Sequence, residues 1–99
     1  MAEFNVTASQ LNAKADELKQ INATYKAKVN ALEEAEAALA AMWEGDAKEA
    51  FRNAFKRDKT NMDNFYAAIE LYVQVLQQIA AEYAKAEATN TQTASQRSY

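Results

Sequence analysis

The 99-residue chain contains no cysteine, no histidine and no proline, and its only glycine is Gly45. Each absence excludes a class of function. Without Cys there is neither a disulfide framework nor a thiolate metal centre. Without His the commonest general base, the commonest zinc ligand and the ordinary switch near neutral pH are all missing. The three serines, Ser9, Ser95 and Ser98, have no imidazole to activate them, so a Ser-His-Asp arrangement cannot form. A lone Gly builds no phosphate-cradling loop. The reading is a protein that is not an enzyme and that takes no cofactor and no metal.

Charge and hydropathy exclude two further classes. Eleven Lys plus Arg against fourteen Asp plus Glu give a net charge of −3, without the basic excess of a nucleic-acid binder. The longest uncharged stretch, residues 71–81, has eleven residues, whereas a membrane span needs roughly 20 apolar ones. Stable membrane insertion is therefore not expected, and the net negative charge counts against a membrane-lytic helix pair. The opening Met1-Ala2-Glu3-Phe4 lacks the basic and apolar regions of a secretory signal.

What the chain does have is alanine, 23 residues of it, against seven Val plus Ile. That composition favours helix over sheet. Thr7-Ala8-Ser9-Gln10 has the form of a capping box, with Val6 before it in the staple position. From there Leu11, Leu18, Tyr25, Leu32 and Leu39 recur every seven residues, with Ala15, Ile21, Val29, Ala35 and Met42 between them. This spacing predicts an amphipathic helix over about 8–42. The chain turns at Trp43-Glu44-Gly45-Asp46, and Asp46-Ala47-Lys48-Glu49 gives a second capping signature. A second helix over about 47–87 carries Phe51, Phe55, Met62, Phe65, Ile69, Tyr72, Leu76, Ile79 and Tyr83 in alternating steps of four and three, interrupted at Asp58. Residues 88–99 have no apolar period and read as a flexible tail.

Two helices of roughly 50 and 60 Å joined by a short turn must lie antiparallel. The predicted fold is all-α, one hairpin domain over residues 1–87. With the turn near 44–45, residue i lies level with residue 89 − i. Lys48, Arg52, Lys56 and Lys59 share one face and invite an acidic partner. The simpler reading sets them against Glu33, Glu34 and Glu36 of the first helix, in ion pairs that are individually weak. The slot of Asp58 corresponds to Lys28 of the first helix, so these two are expected to interact, or at least to share one layer of the hairpin.

The second helix is too apolar for one partner. Between residues 65 and 79 it carries Tyr66, Leu71, Val73 and Val75 besides its seam residues. Exposing several such side chains forfeits ~1.5–3 kcal/mol each. Two hairpins packed as a four-helix bundle solve the problem. The core of hairpin or dimer is then Leu18, Tyr25, Leu32, Leu39, Phe51, Phe55, Met62, Phe65, Ile69, Tyr72, Leu76 and Ile79.

Trp43-Glu44-Gly45 at the midpoint, Ala47 and Phe51 after it, and Tyr83-Ala84-Lys85-Ala86-Glu87 near the end together resemble the WXG100 (ESAT-6-like) family of type VII (ESX) secretion in Gram-positive bacteria and mycobacteria. The second motif is similar to that family's Tyr-x-x-x-Asp/Glu export motif. The resemblance implies a hairpin that pairs with itself or with a related WXG100 protein. It further implies export of the folded dimer by the secretion ATPase, from the cytoplasm to the outside without a signal peptide. Trp43, Gly45, Tyr83 and Glu87 would be the residues read, Trp43 and Gly45 of one chain meeting Tyr83 and Glu87 of an antiparallel partner. Some members of the family are virulence factors and others are export partners for larger toxins. The alternative is a cytoplasmic coiled-coil adaptor or chaperone in which Trp-x-Gly is only a structural turn.

Overall fold

A computed structural model describes residues 6–96. Two helices, α1 (Ala8–Ala41) and α2 (Asp46–Gln96), fold back on each other as a hairpin, in a rod of 83 × 24 × 18 Å. The capping box is formed in both directions: Thr7 Oγ1 accepts from the Gln10 N–H at 3.1 Å and Gln10 Oε1 accepts from the Thr7 N–H at 3.0 Å. At the other end of α1, Met42 closes the last turn by donating to Leu39 and Ala40. Gly45 then takes φ +105°, a left-handed conformation that costs L side chains energy. A Cβ there would meet no atom within 4 Å, so it is the backbone angle and not crowding that asks for glycine. The Gly45 carbonyl accepts from Glu49 N–H at 3.4 Å. Asp46 and Glu49 lie in the first turn of α2, where negative charge complements the helix dipole.

Helix α2 does not stop at Glu87. It continues through residues 88–96, past the end expected for the second helix near residue 87; residues 97–99 lie outside the described residues. The physical reason is plain. Neither Pro nor Gly follows Gly45, and nothing in Ala, Thr, Asn and Gln breaks a helix already propagating. Thr89 Oγ1 donates back to the Lys85 carbonyl at 3.0 Å, so its side chain is accommodated within the helix.

The seam between the helices is built differently from the leucine series. On α1 the buried residues are Ala8, Ala15, Asn22, Val29 and Glu36, seven apart, together with Ala40. The Leu11, Leu18 and Tyr25 positions are half-buried, and Leu32 and Leu39 are exposed. On α2, Val73 and Ala80 are buried and Phe55, Met62, Ile69 and Leu76 are half-buried. Small residues let the backbones approach, and one register runs through: Asn22 meets Tyr66 and Glu36 meets Arg52. The same register sets Ala15 level with Val73 and Ala8 level with Ala80. Columns therefore face like columns in alternating layers.

Asn22 is the largest fully buried side chain, at 2% exposure. Its Nδ2 donates to the Tyr66 carbonyl and to Glu70 Oε1, both at 3.1 Å. A buried polar group so satisfied fixes register at little cost. Its isosteric replacement Asn22→Asp would aim a carboxylate at two acceptors, and should lower stability by about 3 kcal/mol in urea denaturation.

Candidate functional site

The hairpin has two unlike sides. On one, charged residues of both helices interlock. Arg52 Nε donates to Glu36 Oε2 at 3.1 Å, against a carboxylate only 7% exposed. Lys59 Nζ lies 2.9 Å from Asp63 Oδ2 and 3.8 Å from Glu33 Oε2. The hydrogen bond to Asp63 holds the Lys59 ammonium above its ordinary pKa and the Asp63 carboxyl below its own. Asp63 Oδ1 is enclosed without a hydrogen bond, with Lys26 Nζ at 3.9 Å, and Lys26 also lies 5.1 Å over the Tyr66 ring. The Glu70 carboxylate raises the Tyr66 phenol. Thus Glu33 and Glu36 answer part of the basic stripe within the chain. Lys28 and Asp58 do not meet. Both are exposed and neither forms an ion pair among the described residues, because their columns flank the opposite side of the seam.

That opposite side is apolar. Tyr25 and Phe65 stack edge to face with ring centroids 5.5 Å apart, and the Tyr25 hydroxyl donates to the Met62 carbonyl at 3.4 Å. Above and below this pair stand exposed Leu32, Leu39, Phe51, Tyr72 and Ile79; Phe65 itself is 54% exposed. Leu18 joins Tyr72, Val75, Leu76 and Ile79 around an open apolar groove. A contiguous strip of this kind on a small protein marks a protein contact.

The two ends carry the remaining candidates. At the turn, Trp43 is half-buried, its ring 5.6 Å from that of Phe51 at 49°. At the open end, Glu87 Oε1 accepts from the Ala8 N–H at 3.0 Å, adding a carboxylate to the positive N-terminus of α1. Tyr83 is 44% exposed. Trp43 and Gly45 are thus separated from Tyr83 and Glu87 by the length of α2, about 57 Å at the helical rise. One chain does not bring the four together. The cap formed by Glu87 is a role that sequence reading missed; the level rule, which sets Glu87 near residue 2, runs a turn or more short at this end.

No cluster of potential metal ligands occurs among the described residues, and the groove lined by Glu33, Glu36, Arg52, Lys56 and Lys59 is spanned by ion pairs. No helix among those residues is long and apolar enough to cross a membrane.

The family pattern WXG100, "proteins of 100 residues with WXG", matches residues 3–88. The chain belongs to the WXG100 family. Solved structures agree. The secreted protein EsxB of Bacillus anthracis str. Sterne superposes with a TM-score of 0.74 at 26% identity, over 84% of this chain and 89% of that one. A selenomethionine form of EsxB gives a TM-score of 0.77 at 25% identity, over 88% of this chain and 99% of the other. No curated protein gives a significant match. For a WXG100 chain, Trp43 and Gly45 are the residues that give the family its name. Their placement at the one bend of the hairpin follows from the φ of Gly45 and from the packing of Trp43 on Phe51.

Proposed function

We propose that this protein is an export substrate of a type VII secretion system, leaving the cell as a folded antiparallel dimer of hairpins. The observation that carries the reading is the WXG100 match over residues 3–88, in a chain whose hairpin resembles that of secreted EsxB. The exposed strip of Leu32, Leu39, Phe51, Phe65, Tyr72 and Ile79 supports a dimer, because a second hairpin laid on it completes a four-helix bundle. In an antiparallel dimer the turn of one chain lies beside the termini of the other. Trp43 and Gly45 then join Tyr83 and Glu87 of the partner in two composite patches, offering an indole, a phenol and a carboxylate to the secretion ATPase. Unpaired chains would lack the patch and stay behind. Acting as effector or as export partner for a larger toxin are both compatible with this role.

The test is expression in the native host with and without the secretion ATPase, followed by assay of washed cells and culture supernatant. ATPase-dependent appearance outside unlysed cells is the expected result. Retention in the cytosol regardless of the ATPase would favour the adaptor reading.

A further inference from the structure

The charged side of the hairpin holds more positive charge than the chain itself uses. Lys48, Arg52, Lys56, Arg57 and Lys59, five of the eleven cationic residues, fall within residues 48–59. Against them in that segment stand only Glu49 and Asp58, so it carries +3 while the whole chain carries −3, which leaves −6 for everything else. Three of the five, Arg52, Lys56 and Lys59, line one wall of a groove of about 470 Å³ between the helices. Glu33 and Glu36 of α1 form the other wall, and Phe55 and Ala37 add apolar surface. The apolar strip lies on the opposite side of the hairpin, so whatever covers that strip leaves this groove open.

Hydrogen bonds within the chain consume little of the basic wall. Arg52 gives Nε and one Nη2 N–H to Glu36, at 3.1 and 3.5 Å, and keeps three of its five donors. Lys59 gives one N–H to Asp63 at 2.9 Å, and Glu33, at 3.8 Å from it, is beyond hydrogen-bond reach. Lys56 is exposed, and its ammonium has no partner among the described residues. With Lys26, which stands 3.9 Å from Asp63, four cations meet the carboxylates of Glu33, Glu36 and Asp63, and one positive charge is left over. Arg52 and Lys59 are also held in place by the carboxylates they touch. An ordered cation with spare donors loses less freedom on binding than a loose one. The Asp63 hydrogen bond keeps the Lys59 pKa raised, so that ammonium stays charged throughout the neutral range.

We propose that this groove docks an acidic linear segment of a partner protein, with a carboxylate of that segment on Lys56 and Arg52 and a neighbouring apolar side chain on Phe55. The inference stands whether or not the chain is exported. The mixed lining discriminates between anions. A compact polyanion such as a phosphate chain would bring its charges against the Glu33 and Glu36 carboxylates. A nucleic acid would in addition lie against a chain at −6 elsewhere, without the counterion release that a broad basic face provides. A peptide avoids both costs. Each of its carboxylates carries a single charge, its backbone N–H groups can donate to Glu33, and its apolar side chains find Phe55 and Ala37. The groove runs between the helices along residues 33–37 and 52–60, which suits a segment laid along the hairpin axis.

The probe is a capped peptide, Glu-Glu-Leu-Glu-Glu-Leu, added to the isotope-labelled full-length protein and followed by NMR at about 50 mM salt, where charge pairing is only partly screened. Amide shifts should be confined to residues 33–37 and 52–60 and should saturate. Lys56→Gln should weaken binding at least roughly tenfold, the worth of a hydrogen bond between charged groups, and Lys56→Glu, which adds repulsion, should weaken it further. Lys85→Glu makes the same change of net charge as Lys56→Glu on an exposed residue far along α2, and should bind like the parent. Because the Lys56 ammonium has no partner within the described chain, both of its variants should keep full helix content by circular dichroism. No shift at millimolar peptide, shifts outside the groove, or parent-like binding by Lys56→Gln would each overturn the site. Equal binding of the peptide with Gln in place of Glu would overturn the role of charge and the proposal with it. Equal or tighter binding of tripolyphosphate at the same residues would overturn the peptide occupant in favour of a phosphate ligand.

Discussion

Trp43→Ala and Tyr83→Ala should each abolish secretion while leaving a folded dimer. The seam of the hairpin consists of the Ala8 to Glu36 column packed on Val73, Ala80 and their half-buried neighbours; neither Trp43 nor Tyr83 belongs to it. Trp43 touches Phe51 past the end of α1, and Tyr83 is 44% exposed. Their removal therefore costs local packing, and helix content by circular dichroism and mass by sedimentation should stay unchanged. Recognition surfaces behave otherwise: losing one aromatic anchor costs roughly 2 kcal/mol or more, about a thirtyfold loss of engagement before any commitment step multiplies it. Glu87 permits a finer distinction, since it also accepts from the Ala8 N–H. Glu87→Gln keeps an acceptor for that N–H and removes the charge. If the export machinery reads the carboxylate, Glu87→Gln should be as defective as Glu87→Ala; normal secretion of Glu87→Gln would assign Glu87 to the cap alone. Normal secretion of both aromatic variants would remove the composite patch.

The hairpin itself was legible because its signals are local. A capping box at Thr7 and Gln10, a seven-residue period broken only at Asp58 and one Gly at the midpoint specify two helices and a bend without reference to anything distant. The seam was less legible, for a reason rooted in the same period. A helix with two neighbours needs two adjoining stripes. In the proposed dimer the column Leu11, Leu18, Tyr25, Leu32, Leu39 would lie where the stripes overlap, and hydrophobicity peaks there and not on the inner column. The inner column reads Ala8, Ala15, Asn22, Val29, Glu36, small and partly polar, and its burial depends on which partner each side chain finds across the seam. Asn22 is buried because Glu70 and the Tyr66 carbonyl lie opposite, and Glu36 because Arg52 does. Such pairings are tertiary facts. The expected interaction of Lys28 with Asp58 failed similarly, although the register leaves the two nearly level: both are exposed on flanking columns of the outward side, which a level rule along the rod does not resolve.

The face assigned to pairing can be attacked at the point where one substitution counts most. Phe65→Lys should convert the dimer to a folded monomer. Within one chain the change removes an edge-to-face contact with Tyr25, worth about 0.5–1.5 kcal/mol, from a residue already 54% exposed. The hairpin should survive this, since Asn22, Glu36 and the alanine layers are untouched. In the pair each copy loses the burial of a phenyl ring, ~1.5–3 kcal/mol each. In the proposed pair each new ammonium group would also be buried without a counter-ion, and a buried unpaired charge is strongly destabilising. Together these terms exceed ~4 kcal/mol, or roughly a thousandfold in the dissociation constant. Sedimentation equilibrium at micromolar concentration should then give the chain mass, with helical circular dichroism retained. Gln20→Lys makes the same gain of one positive charge on the exposed side of α1 away from the seam, and should remain dimeric. A dimeric Phe65→Lys would move the pairing surface off this face, whereas monomers from both variants would trace the effect to net charge.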